Sequence, residues 1–196
     1  MYRFLKRAFD LLFSFLAIVI LVPFFIILII AVAIDQKGHV FFVQKRLGKN
    51  MRLFHLIKFR TMDIHAPDNV TPNEIGNHYD QYVTRFGRFL RLSALDEIPQ
   101  LFNIFAGRMS FIGYRPSQIV EEELNNDRLH YGIYKMKPGL SGWAQVKTRH
   151  NPKLKVSFEK EYAEKASLCF DIKIFFLTIG LLLSRIFHPK KHKATD

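Results

Sequence analysis

Residues 91–116 read RLSALDEIPQLFNIFAGRMSFIGYRP, and where a helix starts within them decides how the chain folds around its charged groups. Pro99 lacks a backbone N–H and fits a helix only in the first turn, where that donor has no partner anyway. The helix is therefore expected to begin close to Asp96, run through Phe105 and stop at Gly107. Asp96 and Glu97 then fall in the first turn, where free N–H groups and the macrodipole favour ionised carboxylates. Adjacent helical residues point about 100° apart, so the two acids face different directions and are open to different roles. An ionised Asp serves as a nucleophile or a hard-metal ligand, and a Glu beside it can move protons. Arg88, Arg91, Arg108 and Arg115 bracket the pair, and arginine forks suit a phosphate-bearing substrate. The same residues also admit a plain structural reading. Ser93-x-x-Asp96 is then a capping box, or Asp96 an N-cap, with the arginines solvated or resting on lipid headgroups.

Immediately upstream, Thr84 is positioned to cap a helix running to Arg91. Arg85, Arg88 and Arg91 recur every three residues while Phe86, Phe89 and Leu90 lie on another arc. That is the profile of a helix in the headgroup plane, and an amphipathic core helix has it too. Residues 39–62 are expected to form a β-hairpin, because HVFFVQKR and RLFHLIKFR are rich in β-branched and aromatic residues around a Gly48-Lys49-Asn50 turn. Lys58 and Arg60 lie two apart and project from one face of the second strand. Residues 63–80, with Pro67, Pro72 and Gly76, read as a loop that can act as a lid.

The beginning of the chain carries an apolar run from Leu11 to Ile34, roughly 36 Å long as a helix and long enough to span a bilayer. Pro23 lies near its middle and is expected to kink it. Positive charge flanks both ends, with Arg3, Lys6 and Arg7 before it and Lys37, Lys45, Arg46 and Lys49 after. A crossing helix cannot satisfy the positive-inside bias at both flanks, whereas one that enters, bends at Pro23 and leaves by the same face does. A single-pass anchor is the competing reading. A cleaved signal segment is disfavoured, because the run exceeds the usual ~7–15 residues.

Downstream, SQIVEEELNNDRL (117–129) reads as a polar helix with Glu121 to Glu123 solvated. Three consecutive acids cannot converge on one ion from one helix face, so they are not taken as metal ligands. Residues 138–146 are turn-rich and present Trp143 and Gln145, with Trp143 either an interface anchor or a pocket wall. Ile172 to Phe187, at about 16 residues, is short for a span and fits an interfacial helix. The lysines of residues 188–196 suit anionic headgroups.

The 196 residues allow one domain with its own core. Hydrophobic residues make up 49%, with 20 Phe, which leans towards a membrane. A net charge of +12 calls for an anionic partner, either nucleic acid, anionic lipid or a phosphorylated substrate. Cys169 is the single cysteine, which excludes an intrachain disulfide and a cysteine-based metal site. Any metal should be a hard ion held by oxygen.

LDEIPQLFNIFAGRMSFIGYRP resembles the signature of the bacterial monotopic phosphoglycosyl transferases. Lys58-Phe-Arg-Thr-Met62 and Pro138-Gly-Leu-Ser-Gly-Trp-Ala-Gln-Val146 resemble two further blocks of that family, in the same order. The likeness covers nearly the whole chain. It departs at Tyr114, where the family commonly has Pro, and at Thr148-Arg-His-Asn151, near the family's Gly-Arg-Asn. The altered Tyr114 and His150 are candidates for substrate detail.

The resemblance implies an α+β, mainly α fold. A re-entrant membrane anchor (1–36) hinged at Pro23 would precede a catalytic domain (37–187), with a hairpin and interfacial helices around a small core, and then a basic tail (188–196). It implies a Mg²⁺-dependent enzyme on the cytoplasmic face of the bacterial inner membrane, taking a nucleotide diphosphate sugar (a UDP-sugar) and a polyprenyl phosphate. That reaction opens the assembly of glycoconjugates such as capsule, polysaccharide or lipopolysaccharide. Asp96 would be the nucleophile and a metal ligand, and Glu97 the proton carrier or metal support. Lys58, Arg60, Arg91, Arg115 and Gln145 would bind substrate, and a homo-oligomer is open. The alternative is a non-enzymatic basic adaptor on anionic lipid, which leaves the acid pair inside a basic segment unexplained. Nucleic-acid binding rests on charge alone and is set aside.

Overall fold

The computed structural model describes residues 2–67, 79–148 and 152–187. The lid expected in 63–80 falls largely outside them, as do His150 and the basic tail 188–196. The described part is mainly helical, with two small two-stranded sheets.

Helix α1 runs unbroken from Tyr2 to Asp35 with Pro23 inside it. Its apolar sequence is not uniform in use. Ala17, Ile18 and Leu21 pack on Phe54, Leu56, Leu101, Ile104 and Met109. Phe25, Leu28, Ile29 and Val32 pack on Phe59 and Leu90. These positions recur at helical spacing, so one stripe of α1 lies along the body of the protein. Polar bonds tie both ends of that stripe. Near the start, Arg7 donates to the Ile104 and Phe105 carbonyls at 2.8 Å. One turn on, Asp10 accepts from Ser110 Oγ at 3.0 Å and Phe111 N at 3.1 Å. At the far end, Thr84 Oγ1 donates to Asp35 at 2.7 Å. The opposite face exposes Phe9, Leu12, Phe13, Val19, Ile20, Ile27 and Ile30 among others.

The expected hairpin forms, with β1 (Phe41–Leu47) antiparallel to β2 (Leu53–Phe59) and Phe42 opposite Lys58. Its connection is tight because Asn50 and Met51 take positive φ. A short helix α2 (Tyr79–Tyr82) leads to α3 (Arg85–Ser93), which Thr84 caps by accepting from Gly87 N at 2.9 Å.

After α3 come α4 (Gln100–Phe105), β3 (Ser110–Ile112) and α5 (Glu122–His130). Next are β4 (Gly139–Ser141), α6 (Trp143–Lys147), α7 (Pro152–Lys165) and α8 (Leu168–Phe187). Residues 138–146 are thus a strand and a helical turn, more ordered than the turn-rich reading expected. Strand β4 pairs with β3 in parallel. Glycines permit this crossing: a Cβ on Gly142 would lie 1.8 Å from the Gly113 carbonyl oxygen, and one on Gly139 2.1 Å from Gly113 N. The glycines of that block therefore serve backbone contact.

Three further expectations change. Trp143, expected at an interface or in a pocket wall, is buried against Phe170, and its indole N–H donates to Glu161 at 2.7 Å. Tyr114 fills the core edge-on to Tyr134, with the Arg128 guanidinium 4.9 Å from its ring. Glu121 is not freely solvated, since it accepts from Gln118 N at 2.6 Å and lies 4.0 Å from Arg46. Arg128 itself is fully buried in an ion pair with Glu159.

Candidate active site

The helix expected from Asp96 starts later. Ala94 adopts the left-handed conformation at φ 57°, and Leu95–Glu97 follow as a single 3₁₀ turn before α4. The bond from Glu97 N to the Ala94 carbonyl and that from Ile98 N to the Leu95 carbonyl close this turn. Pro99 precedes the regular helix, consistent with its missing donor. A non-glycine residue in this conformation is held there by its surroundings, here α3 and β2, both packed on the turn. At the other end the Gly107 stop is as expected, with φ +75° and its N–H on the Ile104 carbonyl.

Asp96 on this turn is 8% exposed. The capping reading of this segment does not hold. Ser93 Oγ donates back to the Phe89 and Leu90 carbonyls, and no side chain caps the 3₁₀ turn. The helix-start environment was expected to favour ionised Asp96. Instead, burial and then the adjacent Glu97 raise its carboxyl to about 6, with Lys58, Arg91 and Arg115 opposing. Lys58 is pushed the other way, down to about 8, by burial against the pull of Asp96. Its ammonium lies 5.0 Å from the Phe42 ring, and the Arg60 guanidinium is 5.6 Å from the same ring. The strand-face expectation for this pair is therefore met, although only Lys58 is felt at Asp96.

Glu97 and Arg115 hold each other. Both terminal nitrogens of Arg115 donate to one Glu97 oxygen at 3.3 Å. Arg115 remains more than half exposed, so this contact is weak, about 1 kcal/mol or less. Arg91 donates from Nε to Thr61 Oγ1 at 2.7 Å. Gln145 is held at the glycine crossing, its amide oxygen against Gly142, and neither amide atom has a hydrogen-bond partner. It is not joined to either acid.

The donor set fits a magnesium ion. No described group donates a hydrogen bond to Asp96, and Glu97 adjoins it. Mg²⁺ commonly takes one or two carboxylates and completes its shell with substrate phosphates and water. No cluster of three acidic, histidine or cysteine ligands exists among the described residues.

Asp96 is thus a buried carboxylate to which no described group donates, within electrostatic reach of Lys58, Arg91 and Arg115. The bacterial sugar transferase profile matches residues 1–185. The chain belongs to the bacterial sugar transferase family. It is 36% identical over 189 residues to the undecaprenyl-phosphate glucose phosphotransferase of Komagataeibacter xylinus, covering 89% of this chain and 35% of that protein. It is equally similar over 186 residues to the UDP-glucose:undecaprenyl-phosphate glucose-1-phosphate transferase of Escherichia coli K12, covering 90% and 40%. The exopolysaccharide production protein ExoY of Sinorhizobium fredii is 34% identical, covering 92% of this chain and 86% of its own. The chain thus spans two fifths or less of the first two relatives and most of the third.

Three further polar residues adjoin this cluster, and sequence reasoning passed over them. Thr61 touches Arg91. Arg46 lies near Arg115 and donates to Gln44 Oε1 at 2.6 Å. Arg185, near the end of α8, feels the charges of Glu97 and Arg115. Strand alternation could have found Arg46, since Phe42, Gln44 and Arg46 share a face with Lys58 once the register is known. Arg185 has no local signal.

Proposed function

We propose that this protein transfers a phosphosugar from a UDP-sugar to undecaprenyl phosphate, releasing UMP. What carries the reading is Asp96, a buried carboxylate with no described hydrogen-bond donor, set among Lys58, Arg91 and Arg115. The names of relatives support the substrate classes, with glucose in some, and N-acetylgalactosamine or galactose in others.

Asp96 attacks the sugar-linked phosphorus. A bond forms from its carboxylate oxygen, and the phosphoanhydride bond breaks, so that UMP leaves with the electron pair. An oxygen of the lipid phosphate then attacks the same phosphorus, breaking the bond to Asp96 and restoring the carboxylate. A carboxyl raised to about 6 suits both halves, being mostly ionised above neutrality and an adequate leaving group. Lys58, Arg91 and Arg115 neutralise phosphate oxygens, with the arginines acting through two-pronged contacts. Glu97 takes the proton of the lipid phosphate or supports the metal. Mg²⁺, when bound at Asp96, offsets repulsion between the carboxylate and the diphosphate.

The membrane reading is part of this proposal. One stripe of α1 is bound to the body from Arg7 to Asp35, and the helix runs unbroken through Pro23, so the expected bend does not support this placement. What supports an anchor with both ends on the cytoplasmic face is the positive charge at both flanks. The free apolar face of α1 joins Phe89, Phe102, Phe105 and the exposed side of α8 as the surface for the bilayer and anionic headgroups.

The decisive experiment supplies purified protein in lipid nanodiscs with a panel of UDP-sugars, undecaprenyl phosphate and Mg²⁺. UMP release that needs all three supports the reading. Absence of UMP release with every UDP-sugar overturns it.

A further inference from the structure

Thr61 follows the hairpin directly and is 3% exposed. It meets α3 with two atoms. Its carbonyl accepts from Thr84 N at 3.2 Å, and Gly87 packs so close to that carbonyl that a Cβ would lie 2.1 Å from the oxygen. Its hydroxyl oxygen accepts from Arg91 Nε at 2.7 Å. Thr84, in turn, is bonded to Asp35 at the end of α1. Strand β2 and helix α3 are therefore locked at a fixed distance by the backbone of Thr61, while its side chain reaches Arg91 on the next turns. Both elements pack on the 3₁₀ turn that carries Asp96.

A guanidinium is planar, and its long side chain has several rotatable bonds. A hydrogen bond at Nε to a buried acceptor constrains the plane of the fork. We propose that Thr61 is a positioning residue that aims the Arg91 guanidinium at the diphosphate of the nucleotide sugar. This rests on Asp96 being the carboxylate that attacks phosphorus. Thr61 touches no substrate itself and acts through Arg91. The charge of Arg91 is felt at both Asp96 and Lys58, so its placement matters at the point of attack.

The test compares Thr61→Val, which keeps the shape and loses the hydroxyl, with Thr61→Ser, which keeps the hydroxyl. Each is made in the full chain, alone and with Arg91→Lys, and assayed in nanodiscs for UMP release. Thr61→Val should raise the KM for the UDP-sugar about tenfold, a loss of roughly one decade of binding. It should leave kcat and the KM for undecaprenyl phosphate near wild type, and Thr61→Ser should restore the wild-type values. On the Arg91→Lys background, Thr61→Val should add nothing. A merely structural defect would instead lower the active fraction without moving one KM. Wild-type KM in Thr61→Val, or full additivity with Arg91→Lys, overturns the inference. If Thr61→Val does not fold, the Arg91 Nε–H signal decides, followed by nitrogen-15 NMR in wild type and Thr61→Ser. Slow exchange with solvent in both supports the contact, and exchange like that of exposed arginines refutes it. A wild-type chain inactive with every UDP-sugar would instead defeat the functional reading beneath this one.

Discussion

Asp96→Asn should make the protein more stable as it becomes inactive. Burial and Glu97 raise the Asp96 carboxyl from its ordinary 3.8 to about 6, so the fold prefers the protonated form. Below the lower value both folded and unfolded chains are protonated, and the site costs nothing. As pH rises, the unfolded chain ionises first, and above the folded value the full cost stands at about 3 kcal/mol. The attraction of Lys58, Arg91 and Arg115 is already contained in that shift. Asn is neutral at every pH and avoids the cost. Its amide still lacks a described partner, which takes back part of the gain and leaves about 1–2 kcal/mol. For a chain of this size that is a rise in Tm of about 2–8 °C. Thermal unfolding of wild type and Asp96→Asn in the same detergent, at pH 8 and pH 3, measures it, with UMP release recorded in parallel. The gap should be present at pH 8 and closed at pH 3. Equal Tm at pH 8, or a gap that persists at pH 3, would refute the electrostatic account. Retained turnover would remove Asp96 as nucleophile.

The pH profile of kcat/KM should be bell-shaped, rising through about pH 6 as Asp96 ionises and falling through about pH 8 as Lys58 loses its proton. Lys58→Arg should abolish the alkaline fall, because a guanidinium stays charged there; a flat wild-type profile would contradict both assignments. Topology can be read with single cysteines at the exposed Arg3 and His39 positions in a Cys169→Ser background. Both should be shielded from a membrane-impermeant reagent in intact cells, and labelling of one end alone would establish a spanning helix. Glu159→Gln should destabilise by about 3–5 kcal/mol, because it leaves the Arg128 charge buried without its partner. A thermal midpoint equal to wild type would show that this ion pair is not structural.

The hairpin, the Thr84 cap and the Gly107 stop were legible because each rests on local chemistry, whether strand alternation, a side-chain oxygen at a helix start or a residue free to take positive φ. The start of the segment that carries Asp96 was not. Pro99 correctly excludes a deep helical interior, but the left-handed turn at Ala94 is imposed by packing from α3 and β2. The acid pair was found from its charged neighbourhood, yet the direction of the Asp96 shift depends on burial, which one-dimensional spacing does not report. Trp143 and Tyr114 show the same limit. Their types suit an interface or a pocket, and only tertiary contacts with Phe170 and Arg128 assign them to the core. Gln145 was selected with its motif block, whereas the glycines beside it explain that block as a close backbone crossing.

The seam along α1 joins residues that are far apart in time as well as in sequence. Tyr2 and Lys6 bond to Asp171, at 2.9 and 2.7 Å, across separations of 169 and 165 residues. At a synthesis rate of ~5–20 residues per second, the ribosome exposes α1 roughly ten to thirty seconds before Asp171 leaves the exit tunnel. During that interval a long apolar helix has no finished body to lie on. Docking of Tyr2 and Lys6 on Asp171 then closes last, after the residues around Asp96 have all been made. In the proposed membrane arrangement, delivery to the bilayer therefore precedes completion of the tertiary structure, and a chain that misses the membrane during synthesis is left with an uncovered helix.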